Sequence, residues 1–406
     1  MKSKFINGPI NCIRLEGQVN SIKKVLYLFM DFHEPIDRQT ECEDVFAQDI
    51  KTHFIKTFSN IKNNKTYDFF FEIHPSILLN NPSNYKNIYI AEVQKLFLKE
   101  FNVKKNKVDN AKHFPNLRLH YIDIRDYISS DKYPQDKMWL DDLYDHVTSL
   151  FVQALTIILT LKDCEILKKI LDDSKKFIDH ISELIKNNST TFHEILINNN
   201  IKEYSKKQFK AATQYIINKI FNKYKHDNIQ KTMNTIIKKH VEIQLNFIND
   251  AYNDFDKQIS DCESLIKKTQ NMIIGDKFTG IYRNFGFFNT LKFTTKFLKK
   301  YFVYYNVNSN LFSILTDFYF LRRFLDKDYV TNAIGYTGGY HSLNYIFYLV
   351  KYFDFKITHW SFLSENINDI IDKIKLSNNS YDLTQYFIPP NFYQCTNLSD
   401  FPEDFE

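Results

Sequence analysis

The chain of 406 residues has little glycine and little proline, and both are unevenly spread. No glycine lies between Gly17 and Gly275, and all nine prolines fall at or before Pro134 or at or after Pro389. Residues 135–274 therefore hold neither of the two residues that interrupt regular structure. Apolar side chains recur there at mixed spacings of three and four, which predicts long helices. Cysteine is scarce as well. Cys12, Cys42, Cys164, Cys262 and Cys395 are odd in number, widely spaced and without a CxxC pair, a pattern that disfavours a disulfide framework or a zinc knuckle and leads us to expect a reducing compartment. No stretch approaches the roughly 18 uncharged apolar residues of a membrane span, and residues 1–9 have no apolar core of signal-peptide length. A cytoplasmic protein with no membrane partner is the expectation. Also missing are GxxxxGK[ST], a GxGxxG after the first strand, GxSxG and HExxH, which removes the commonest phosphate, dinucleotide, serine-hydrolase and zincin signatures.

What is present is globular: 44% hydrophobic and 25% charged residues, with 38 Phe and 26 Tyr. The net charge of +5 is made of interspersed signs, so it supplies solubility without the concentrated field that nucleic acid would need.

Three apolar runs before residue 126 read as strands: residues 24–30, 67–73 and 117–125. Helical patterns over 47–61 and 87–101 separate them, and strands alternating with helices imply an α/β fold with a mainly parallel sheet and flanking helices. A large all-helical insertion is expected over 138–274, with a protein partner on its surface as one use for it. The α/β domain would then comprise 1–137 and 275–396, with a helix over 311–325, a Gly-rich strand end at 335–341, a helix over 343–352 and a last strand at 355–360. Residues 397–406 form an acidic tail, of which Asp400 to Glu406 is expected to be disordered.

Three of the eight glycines fall within Gly335-Tyr336-Thr337-Gly338-Gly339, just before His341. Their missing side chains allow positive φ and close backbone approach, so His341 is expected to be presented rather than packed. His33 follows the first apolar run. In an open parallel sheet the carboxyl ends of the strands face one crevice, where residues remote in sequence can meet. The strand ends offer Asp31, His33 and Glu34, then Glu72 and His74, then Asp123, Arg125 and Asp126, and His341 with His359 beyond it. Two histidines and one or two carboxylates suit Zn, Mn or Fe, with a coordination position left for water. The same groups could act without metal, one histidine serving as general base while Glu72 or Asp31 sets its tautomer. Asp31, Asp123 and Arg322 or Arg323 would support charge and orientation. Cys42 is a poor nucleophile, because Glu41 and Glu43 raise its thiol pKa.

With these residues named, the chain resembles the superfamily of erythromycin-esterase-like, ChaN-like and TraB/Tiki-type proteins. Gly338-Gly339-Tyr340-His341 fits that group's late Gly-x-x-His motif, Glu72 its acidic position, and Asp317 to Arg323 its acidic and basic helix. Met30-Asp31-Phe32-His33 departs from the early motif, with methionine in place of glycine. The chain also resembles uncharacterised proteins of large DNA viruses, which would place it in host cytoplasm or virion. The superfamily resemblance implies a hydrolase-like site, often metal-dependent. The leading expectation is a metal-assisted hydrolase in which His33, Glu72 and His341 hold a divalent metal or its activated water and act on a small-molecule or peptide substrate. The rival is an inactive scaffold on the same fold.

Overall fold

The computed structural model describes residues 4–33, 41–61, 63–73, 89–101, 103–104, 107–109, 111–124, 218–252, 264, 313–391 and 393–405. The chain divides into two compact units, one of residues 1–126, 219–233 and 313–406 and the other of 127–218 and 234–312. In chain order the described strands are β1 (Phe5–Asn7), β2 (Asn11–Val19), β3 (Ile22–Asp31), β4 (Gln48–Asp49), β5 (Tyr67–Phe71), β6 (Val103–Lys104), β7 (Lys107–Val108), β8 (Leu117–Tyr121), β9 (Asn332–Gly338), β10 (Lys356–Trp360) and β11 (Cys395–Asn397). The helices are α1 (Ile50–Asn60), α2 (Tyr89–Glu100), α3 (Asp227–Tyr252), α4 (residues 313–326), α5 (Gly339–Phe353), α6 (Ile367–Leu376) and α7 (Thr384–Phe387). Of the expected helical insertion only residues 218–252 and 264 are described.

The first unit is built on a six-stranded sheet in the order β10-β2-β3-β9-β5-β8. Strands β3, β9, β5 and β8 run parallel, as the alternation of strands and helices implies. The sheet is mixed rather than mainly parallel at its other side, where β2 pairs antiparallel with both β3 and β10. The β2–β3 hairpin turns through Asn20 and Ser21, both at positive φ (49° and 65°), as a type I′ turn requires. This strand was not expected from the sequence. Its buried positions mix apolar Cys12, Ile13, Leu15 and Val19 with polar Asn11 and Arg14, and Arg14 is satisfied within the sheet, donating to Tyr27 Oη at 3.0 Å and to Thr358 Oγ1 at 2.7 Å.

Alternation along the parallel strands sends Val25, Tyr27 and Phe29, Ile334 and Tyr336, and Tyr67, Phe69 and Phe71 to one face. There they join Phe54 and Phe58 of α1 and Val93 and Phe97 of α2 in one core. On the other face Phe70 meets Phe320 of α4, which in turn packs on Tyr345 of α5. The sheet thus has helices on both sides.

The acidic tail is not disordered. Phe401 and Phe405 are buried, and Phe405 packs edge-on against Tyr27 and Phe29. Burying a phenylalanine is worth about 1.5–3 kcal/mol, enough to order a short acidic segment. The cysteine expectation is also corrected. Cys42 and Cys395 are joined in a disulfide across 353 positions, while Cys12 is a free buried thiol. Among the described residues no helix is long and apolar enough to cross a membrane.

Candidate active site

The central position of β9 between β3 and β5 brings the site together. Asp31 stands opposite Gly338, and Phe71 opposite Tyr336, so that Glu72 leaves β5 beside the end of β9. Helix α5 starts directly after β9 and carries His341 in its first turn. Gly338 has φ −57°, so its value is room rather than a left-handed turn. A Cβ there would lie 3.3 Å from His33 Nε2 and 3.4 Å from Glu72 Oε2.

The result is a chain of alternating carboxylates and imidazoles. Asp31 Oδ2 lies 2.7 Å from His33 Nδ1. His33 Nε2 lies 3.9 Å from Glu72 Oε2, too long for a hydrogen bond. Glu72 Oε1 is 3.0 Å from His341 Nε2, and His341 Nδ1 is 2.6 Å from Asp317 Oδ1. The backbone N–H of Gly338 donates to Glu72 Oε2 at 2.7 Å, placing the carboxylate at the amino end of α5, where the helix dipole favours negative charge. Asn344 donates to Asp317 Oδ2 at 2.6 Å and accepts from Ser380, while the Tyr336 hydroxyl reaches Asp31 Oδ1 at 3.3 Å.

Burial separates the two histidines. Asp31, Glu72, Asp317 and His341 are buried, and the side chain of His33 is 46% exposed. His341 is therefore packed, contrary to expectation, and His33 is the presented one. Burial alone would lower the pKa of both imidazoles. At His33 the hydrogen bond and charge of Asp31, with Glu72 behind them, outweigh it and raise the pKa. At His341 the charges of Asp317 and Glu72 raise it well above the ordinary value.

The structure brings together Asp31, His33, Glu72 and His341 of the expected residues. Asp123 is buried just beyond β8, the strand next to β5. Arg322 is committed elsewhere, donating to the Lys223 carbonyl and lying over the Tyr224 ring. His359 sits on the edge strand β10, beside Thr358 Oγ1 at 3.0 Å. Glu34, His74, Arg125 and Asp126 lie outside the described residues. Asp317, Asn344, Ser380 and Tyr336 were not singled out as site residues by sequence reasoning. Only the resemblance of Asp317 to Arg323 to that superfamily's acidic and basic helix touched any of them.

Among the described residues no group of three or more His, Cys, Asp or Glu side chains is arranged to hold a metal ion. His341 Nε2 and Glu72 Oε1 are instead bonded to each other. Cys42, its sulfur in the disulfide, has no thiol to offer as a nucleophile.

Comparison with known proteins leads in one direction. A family model described as a family of unknown function, DUF5847, matches residues 4–406. Three uncharacterised proteins of Acanthamoeba polyphaga mimivirus are similar over nearly the full length of both chains. The first is 31% identical over 100% of this chain and 97% of its own, the second 32% over 99% and 98%, and the third 33% over 99% and 97%. The viral resemblance is thus supported, and the resemblance to the erythromycin-esterase-like superfamily is not. No solved structure matches.

Proposed function

The chain belongs to the DUF5847 family, and for this member of it we propose a hydrolytic enzyme that activates water between His33 and Glu72. One observation carries the reading: His33 is half-exposed, its Nδ1 is tied to buried Asp31, and its Nε2 faces Glu72 across 3.9 Å. With Nδ1–H donated to Asp31, Nε2 is the basic nitrogen. A water bridging Nε2 and Glu72 Oε2 would lose its proton to His33 as it attacks an ester, amide or phosphoester centre. The same Nε2–H would then return the proton to the leaving group. His341 acts as a positioning residue, holding Glu72 through Oε1 while Asp317 and Asn344 hold His341.

A second reading, a divalent cation bound by His33, Glu72 and His341, is favoured by one feature. Each histidine gives its Nδ1 to an aspartate and aims its Nε2 at Glu72, the outer bonding that metal-bound histidines commonly have. It requires the His341–Glu72 bond to open, and no step above depends on it.

The test is a screen of chromogenic ester, peptide and phosphoester substrates with the wild type, His33→Ala and Glu72→Gln, beside elemental analysis of each protein. Turnover lost in both variants without bound metal supports the acid–base reading. Near-stoichiometric Zn, Mn or Fe in the wild type, absent from His33→Ala/His341→Ala, would replace it by the metal-assisted one. Turnover unaffected by either variant would place the activity away from His33 and Glu72, and no turnover on any substrate class would favour the inactive scaffold.

A further inference from the structure

We propose that Gln394, far from the strand ends in sequence, is a positioning residue for His33: its carboxamide fixes the peptide that joins Asp31 to His33, and with it the bond between them. The need for such support follows from where β3 stops. Its pairing with β9 ends at Asp31 opposite Gly338, and its pairing with β2 ends one residue earlier, at Met30. Phe32 and His33 therefore lie past the last rung of the sheet. The His33 side chain is half-exposed, so packing does not confine it, and it reaches Asp31 through one bond of 2.7 Å. His341 needs no comparable help, being part of a helix and bonded through both nitrogens.

Gln394 meets that need. Its Nε2 donates to the Phe32 carbonyl, midway between the two members of the pair. A carbonyl can only accept, so this contact also decides which end of the amide faces Phe32. The side chain has no exposed surface, which removes competition from water. Its backbone is set by bonds that do not involve the site. The Gln394 carbonyl accepts from the Gly8 N–H at 3.0 Å, the next residue, Cys395, pairs with Asn7 in the β1–β11 ladder, and Thr396 Oγ1 donates to the Pro9 carbonyl at 2.7 Å. The same amino-terminal stretch returns to β3 through the Ile10 N–H on the Met30 carbonyl at 2.8 Å.

The other end of the amide separates a positioning role from a structural one. Gln394 Oε1 is buried and has no hydrogen-bond partner. An amide oxygen taken out of water without a partner costs free energy, which offsets what the Nε2 bond contributes. The half-satisfied carboxamide thus adds little to stability, and a methionine of similar length would fill the space without that cost. What methionine cannot do is donate to Phe32. A local rule broken in this way is expected where a side chain serves a site rather than the fold.

The positioning role is tested without a substrate, and only its effect on turnover rests on the hydrolase reading. Gln394→Met removes the donor and the orphaned oxygen together. Thr396→Val, two positions along, removes a buried bond that never reaches Phe32. Nitrogen-15 histidine NMR of the wild type should show two downfield Nδ1–H signals, that of His33 identified by its loss in His33→Ala. In Gln394→Met the His33 signal should broaden or vanish, and the His33 pKa should fall toward the ordinary value as the Asp31 bond that helps to raise it loosens. His341 should keep its signal and the urea midpoint should not fall. Any kcat should drop at least tenfold with KM little changed. Thr396→Val should do the reverse, lowering the urea midpoint and leaving both signals in place. A His33 signal and pKa indifferent to Gln394→Met would overturn the proposal. So would loss of both signals with a lower midpoint, because Gln394 would then hold the fold, or selective loss of the His33 signal in Thr396→Val. Signals that respond as expected in a protein that turns over nothing would keep Gln394 in its role and remove the hydrolase.

Discussion

The two ends of the parallel sheet each bury ionised groups, and they do so in opposite ways. At the amino end Asp68 is held by Arg118 through two bonds, one of 2.8 Å, and by His120 at 2.6 Å, while Lys24 caps the carbonyls of Lys327 and Val330. Arginine there is a permanent cation, and burial together with the nearby Arg323 and Arg118 charges lowers the pKa of His120, although Asp68 opposes the shift. At the carboxyl end the cations facing Asp31, Glu72 and Asp317 are two histidines, both raised in pKa, and one of them is open to solvent. A cluster balanced by arginine suits structure. One balanced by imidazole can exchange a proton.

That contrast can be broken most sharply at His33. We expect His33→Ala to lower turnover by about 10²- to 10⁴-fold while changing stability by no more than about 1 kcal/mol, as measured by steady-state rates and urea unfolding. A large loss of stability with little loss of rate would make the carboxyl end structural after all. His341→Ala comes next, since it strands buried Glu72 and Asp317 without their imidazole. It should cost about 3–5 kcal/mol in urea unfolding, and a cost near zero would deny that the chain of charges is closed. Arg118→Ala should cost less, about 1–3 kcal/mol, because Asp68 keeps His120, and should leave turnover unchanged. A loss of rate in that variant would erase the difference between the two ends.

The smallest effects are in pH. Both site histidines have folded pKa values above the unfolded value near 6.5. The stability they link is therefore complete below about pH 6.5 and is lost as pH climbs through the folded values. His120 is lowered, so its contribution is present above about pH 6.5 and is lost as pH falls through its folded value. Urea midpoints across the pH range should decline on both sides, with His33→Ala softening the alkaline decline. Turnover should rise with pH through the raised pKa of His33, because the base must be neutral. A rate that falls there would assign His33 to the acid role alone.

Much of this was legible in the chain. Strands β3, β5, β8 and β9 are apolar runs that end in polar residues, and that pattern led to His33, Glu72 and His341 converging. Strand β2 was hidden because Arg14 and Glu16 disguise its alternation, and because Asn20-Ser21 lacks the glycine that usually marks such a turn. Asp317 was not identified as a site residue because its bond to His341 depends on how α4 and α5 pack, which no local spacing encodes. The tail misled through its charge: acidic side chains drew attention from Phe401 and Phe405. The disulfide joins residues 353 positions apart, a pairing that cysteine counting alone does not reveal.

The place of Phe405 in the core also sets a timetable for synthesis. Tyr27 and Phe29 emerge from the ribosome early, but the ring that covers them, and the strand that pairs with β1, come almost a whole chain later. At about 5–20 residues per second that wait is roughly 20–80 s, during which the aromatic face of β3 has no finished lid. Closure of that face therefore waits on a segment synthesised long after the strand it covers.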